Sequence, residues 1–328
     1  LLEIDPLTLE IGYGLIPLVE EQKGELLNKI KSMRRQLAKE IGFIVPSIHI
    51  RDNLQLRPHE YSFMIRGIEV AKNEVMMNHW LAVASDEAGT LEGIPAKEPA
   101  FGLPAYWVEE RAVDAAQTEG FMVVDTATVI ATHLTELIRK YCWELLTRTE
   151  MQSILDNVSK TYPKLVDELI PTHLTLGAVQ RVLQNLLRER VPINDMVSVL
   201  ETLLDYSPST KDVEALTEFV RQALARYITK QYMVPDGNLP VFTLDPRFET
   251  PLSRTVQTGE AINPELIRKL VKSIDRPPFS KLNSQAYQLW QTLCRLGHFA
   301  QLLYMLPASC MLLVDYRWNR TLRLRQSS

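Results

Sequence analysis

The stretch GFMVVDTATVIATHLTELIRKYCWELL, Gly120–Leu146, changes period part-way along its length. Its opening residues, FMVVD, are a short β-like apolar run. From Thr126 onward Val129, Thr132, His133, Leu137 and Tyr141 fall close to helical spacing, so a helix is expected over Thr126–Leu146. Upstream, over residues 78–125, short β-like pieces (HWLAVA, AYWVEE, FMVVD) alternate with glycine and proline, the mark of a small strand-rich insert. The helix therefore resumes a unit that the insert interrupts. That unit opens over residues 1–77 with a strand near Leu7–Ile11, a helix over Gly24–Gly42, and strands at Ser47–Ile50 and Tyr61–Val70. Asp52, Asn53 and Pro58 give the connection RDNLQLRPHE between the last two strands its turn chemistry.

Beyond Leu146 the period stays helical to Tyr232. TLGAVQRVLQNLLRERVPI begins with Thr175 as N-cap, aligns Val179, Leu183, Leu186 and Leu187 on one face, and is expected to stop at Pro192. INDMVSVLETLLDYSP and STKDVEALTEFVRQALARYITKQY are two further amphipathic runs. VPDGNLPVFTLDPRFE punctuates the chain around a single apolar strand, Val241–Leu244. Helices near Pro264–Ile274 and Gln285–Leu303 and a strand near Met311–Val314 follow. The expected fold is α+β with several subdomains: residues 1–77 with 126–146 (α/β, discontinuous), 78–125 (small and β-rich), 147–232 (all-helical) and 233–328 (α/β).

Composition narrows the function classes. With 46% hydrophobic and 23% charged residues the 328-residue chain has the apolar content to bury several cores and lies far from disorder. A net charge of −4 with both signs interspersed argues against nucleic-acid binding. The local exception is KIKSMRR, Lys29–Arg35: it reads as the solvated face of a helix, or as a contact for an acidic partner through Arg34 and Arg35. Cys142, Cys294 and Cys310 form no CxxC pair, so neither disulfides nor zinc are suggested and a reducing compartment is expected. FAQLLYMLPASCMLLV, Phe299–Val314, is too short and too interrupted to span a membrane. The start on LLEIDP without a methionine suggests a piece cut from something longer.

No phosphate loop, nucleophile elbow, zinc helix or dinucleotide fingerprint occurs. GYGLIP at Gly12 has two spaced glycines, which suit a tight turn. His133 and Glu136 share a helix face, where a packed histidine is the simpler reading than a metal ligand. Glu109 with Glu110 and Glu20 with Glu21 are sequence neighbours that point apart in extended chain and cannot share a proton-transfer task. No cofactor and no catalysis are expected. The unusual local feature is KEPAFGLPAYWVEE, Lys97–Glu110, which gathers Phe101, Tyr106 and Trp107 on a segment broken by prolines and a glycine. Tyr106 and Trp107 read as packed strand residues. Phe101 either folds back into a core or builds a surface that another protein grips.

In order along the chain, DPLTLEIGYGLIPLV, VPSIHIRDNLQL, EPAFGLPAYWV, GFMVVDTATVIATHL, YPKLVDELIP, LGAVQRVLQNLLRERVPINDM, VLETLLD and FVRQALARYIT resemble the cytoplasmic domains of the FlhA family of flagellar type III export gates. The resemblance runs from about Asp5 to Leu244; Pro277–Ser328 departs most, with only Leu306–Pro307 and MLLVDY similar. Virulence type III export gates are close relatives that share LQNLLRERVPI, while PAFGLPAYWV and VIATHL look more flagellar.

The resemblance implies four subdomains, a preceding membrane part in the bacterial inner membrane with this domain on its cytoplasmic side, and a nine-membered ring. It implies docking of export chaperones that carry substrates, beside other export proteins including the ATPase complex, and no covalent chemistry. The matching dimple residues are Phe101 and Thr132, with Glu98 where the family has aspartate and Val124 as a wall; the extra methylene shifts the charge by about 1.5 Å. Thr132 has a plainer reading, a helix threonine bonded to its own backbone. A hinge is expected at Gly12, Gly14 and Gly237, where few restraints cross. Two rivals stand beside docking: an enzyme with a site in the terminal α/β unit, and a ring-builder that assembles through Arg34 and Arg35.

Overall fold

The computed structural model describes residues 5–20, 24–85, 89, 91–233, 265 and 268. Gly237, Cys294, Cys310 and the strands and helices expected beyond Met233 lie outside the described residues, apart from helical backbone at Glu265 and Arg268. The chain divides into two compact units, Leu1–Val220 and Arg221–Ser328.

The first unit opens with β1 (Leu7–Ile11), a short α1 (Pro17–Glu20), α2 (Glu25–Ile41), β2 (Ile48–Asp52), β3 (Glu60–Ile65) and β4 (Ile68–Glu74). The strands form one sheet in the order β2-β1-β3-β4, with β1–β2 parallel and the other pairs antiparallel. Strand alternation puts Leu7, Leu9 and Ile11 on the same face as Tyr61, Phe63 and Ile65, and all six are buried. Leu26, Ile30, Met33 and Leu37, spaced three or four apart on α2, close over the core. The single strand expected over Tyr61–Val70 is a hairpin, because Arg66 and Gly67 both take positive φ (49° and 78°) and turn the chain in two residues.

A second sheet is built wholly from residues 80–125: β5 (Trp80–Val83), β6 (Ile94–Lys97), β7 (Pro104–Val108), α3 (Val113–Thr118) and β8 (Met122–Asp125), in the order β6-β7-β5-β8. The sequence reading lacked β6 and α3. One face packs Ala82, Tyr106 and Val108 against Ala116 and Phe121, with Tyr106 edge-on to Phe121. Tyr106 and Trp107 are strand residues in packed positions, as expected.

The chain then passes directly from β8 into α4 (Thr126–Leu145). Asp125 caps it, accepting from Thr128 N at 2.7 Å and pairing with Lys29 Nζ at 3.2 Å, which ties α4 to α2. Burial opposes ionisation of Asp125, but the Thr128 bonds and the Lys29 charge prevail and hold its carboxyl below the usual range. Helices α5 (Arg148–Ser159), α6 (Pro163–Asp167), α7 (Leu176–Arg188) and α8 (Met196–Tyr206) follow, and then α9 (Val213–Ala223). Thr175 caps α7 as expected. The helix ends before Pro192, however: Arg190 turns left-handed (φ 61°), Arg190 N donates to Leu187 O and Val191 N to Leu186 O, a Schellman stop. In the second unit α10 (Ala225–Tyr232) begins just past Leu224, so the helical run expected over residues 209–232 is two helices. Among the described residues no helix is long and apolar enough to cross a membrane.

Candidate functional site

The connection between β6 and β7 is a turn held from within. Glu98 N donates to Leu103 O at 2.9 Å and Gly102 N to Glu98 O at 2.8 Å, with Gly102 at φ 73° facing open space. The Glu98 side chain folds under the turn, where Oε1 accepts from Ala100 N at 2.8 Å and Oε2 from Phe101 N at 2.7 Å. The result is an inversion of the usual polarity rule. The glutamate is 6% exposed while the phenylalanine above it is 52% exposed. Leu103 beside it is also exposed.

The Glu98 charge also acts on the core of the first sheet. Tyr61 on β3 is fully buried, and its hydroxyl is hydrogen-bonded to His133 Nδ1 on α4 at 2.7 Å, the rings meeting edge to face at 5.8 Å. Burial, and then the nearby Glu98 charge, push the Tyr61 phenol far above its ordinary pKa. Burial alone lowers His133 to about 4. The histidine is therefore a neutral core group, and its interaction is with Tyr61, while Glu136 pairs with Arg139. The Tyr61–His133 bond ties β3 to α4 one residue from Thr132.

Thr132 is half-buried and its hydroxyl makes no hydrogen bond among the described residues; the back-bonded threonine of this helix is Thr135, which donates to Ala131 O at 2.7 Å. Register places Val124 in one row with Leu81, Trp107 and Ile94, on the face of the inserted sheet opposite its own small core. Helix α4 lies against β5 and β8. The middle of that face is buried (Trp107 is 7% exposed), and its outer strands keep Ile94 and Met122 exposed. Met122, 69% exposed, shares the Val124 face two positions along β8, and the sequence reading missed it although the alternation in FMVVD carried the signal. So Glu98 and Phe101 are joined directly, whereas Val124 and Thr132 lie to either side of the junction of β8 with α4.

The remaining candidates fall elsewhere. Gly12 and Gly14 are not sites of few restraints: Gly12 N donates to Glu60 O and Gly14 N to Pro58 O, both at 2.8 Å. A Cβ on Gly12 would stand 1.9 Å from Arg57 O, so close backbone approach accounts for the glycine there. Arg34 is half-buried and donates to Val45 O at 2.8 Å, which leaves Arg35 as the exposed member of the pair.

A profile of the FHIPEP family matches residues 1–294. The chain belongs to the FHIPEP family. It is 43% identical over 281 residues to flagellar biosynthesis protein FlhA of Bacillus subtilis, covering 84% of this chain and 42% of that protein. Against FlhA of Yersinia enterocolitica it is 43% identical over 270 residues, 82% of this chain and 39% of that one. The chain thus spans about two fifths of the length of these FHIPEP relatives. Among solved structures it is similar to Chlamydia pneumoniae CdsV in complex with CdsO, with a TM-score of 0.71 at 25% identity over 83% of this chain and 84% of that one. It also shares its fold with the nonameric SctV-C of EPEC (TM-score 0.64, 23% identity, 85% of each chain). The fold is also that of the nonameric EscV cytosolic domain from the type III secretion system (TM-score 0.59, 24% identity, 80% of this chain and 77% of that one).

Proposed function

We propose that this chain is the cytoplasmic docking part of a flagellar type III export gate, and that it receives export chaperones loaded with substrate at the turn bearing Phe101. The observation that carries this reading is a half-exposed phenylalanine held on a turn whose backbone is already fixed by Glu98. A ring ordered before binding loses little entropy on docking, and an apolar anchor buried against it contributes roughly 1.5–3 kcal/mol. Thr132 and Val124 form the neighbouring wall, and Met122 extends it. The flagellar assignment is supported by 43% identity to flagellar biosynthesis protein FlhA against 25% to Chlamydia pneumoniae CdsV.

In this reading the four-subdomain division holds, the domain works on the cytoplasmic side of the bacterial inner membrane, and the membrane part belongs to sequence outside this chain. Nine copies form a ring, as in the nonameric relatives. The domain performs no covalent chemistry and works beside the ATPase complex. The test is a pull-down of a chaperone–substrate complex from the same export system. Phe101→Ala is expected to abolish capture while circular dichroism and melting stay unchanged. Capture that survives the substitution would overturn the assignment.

A further inference from the structure

Glu98 is chemically out of place for a residue on a surface turn. It is 6% exposed, each carboxylate oxygen accepts one backbone N–H, and its own N–H and C=O close the same turn. None of the ion pairs among the described residues includes it. At 6% exposure its remaining lone pairs are shielded from a visitor. We infer that Glu98 is a positioning residue: it fixes the Phe101 N–H from beneath, and hence the direction of the ring, without touching the docked chaperone–substrate complex. The inference rests on the docking reading above and adds to it a device that aims the anchor.

The chemistry separates positioning from direct contact. A carboxylate presents an acceptor on each arm, whereas an amide presents one acceptor and one donor, so Glu98→Gln keeps the shape and loses one of the two turn bonds. Glu98→Asp keeps both acceptors on a shorter stem, and aspartate is well suited to bonding backbone N–H groups two and three residues ahead. Glu98→Ala loses both. A cation of the partner held by Glu98 would instead give a binding loss that shrinks as salt rises.

The experiment measures amide hydrogen exchange at Ala100 and Phe101 in the full chain, beside binding of the same chaperone–substrate complex at low and high salt. Exchange is expected to accelerate about tenfold in Glu98→Gln and further in Glu98→Ala, while Glu98→Asp restores protection. Binding should fall in the same order and by the same factor at both salt concentrations, with melting temperatures of the Asp and Gln variants near that of the parent. Unchanged exchange in Glu98→Gln would overturn the clamp. A binding loss confined to low salt would assign Glu98 a direct contact instead. Phe101→Ala, run in parallel, reports on the docking reading separately: retained binding there defeats docking, while the exchange rates still decide whether Glu98 holds the turn.

Discussion

Phe63 and Phe101 are the same side chain in opposite settings. Phe63 sits at the centre of β3, fully buried, directly across from Leu9 of β1. Phe101 stands 52% exposed on a turn of the inserted sheet. The first ring has its partners within the chain, and the second has a backbone made rigid beneath it and an open side above. In the docking proposal, what sets Phe101 apart is exposure combined with a locked backbone rather than exposure alone.

Substitutions sharpen this contrast in descending order of effect. Phe63→Ala should cost about 3–5 kcal/mol of unfolding free energy, seen as a large fall in the denaturation midpoint. Next comes the pH dependence of the core of the first sheet. His133 titrates near 4 when folded and near the ordinary histidine value of about 6.5 when unfolded, so between those values the unfolded chain binds the extra proton. Stability should therefore fall as pH drops from about 6.5 to 4, by about 3 kcal/mol from this group, and His133→Gln should remove that part of the slope in urea melts. Asp125→Ala, which removes the α4 cap and the tie to Lys29, should cost about 1–2 kcal/mol. Smallest of all, Phe101→Ala and Arg35→Ala should change stability by no more than about 0.5 kcal/mol.

Much of this architecture was legible in the sequence. The period change near Asp125 located the inserted sheet and the helix that follows it, and the glycines at 24 and 42 bracketed α2. What escaped notice has physical reasons. Strand β6 reads IPAK, a poor β sequence held by pairing with β7 alone at the sheet edge. The end of α7 used a left-handed arginine in the place usually taken by glycine, so the visible Pro192 drew the boundary too far. The packed glycines at 12 and 14 looked like freedom because the carbonyls of Arg57 and Pro58 that crowd them come from a distant loop. In the candidate site the proline-broken segment left Phe101 open between core and surface, and only the family resemblance assigned it to a surface. The Tyr61–His133 bond, 72 residues apart in sequence, and the burial of Glu98 are tertiary facts that no local pattern announces.

The decisive measurement sets the melting temperature of Phe101→Ala beside its binding isotherm for the chaperone–substrate complex. Fixed melting with affinity weakened roughly 10- to 150-fold is the expected result, the equivalent of losing a buried apolar anchor of about 1.5–3 kcal/mol. Unweakened affinity, or a collapse in melting like that of Phe63→Ala, would contradict it.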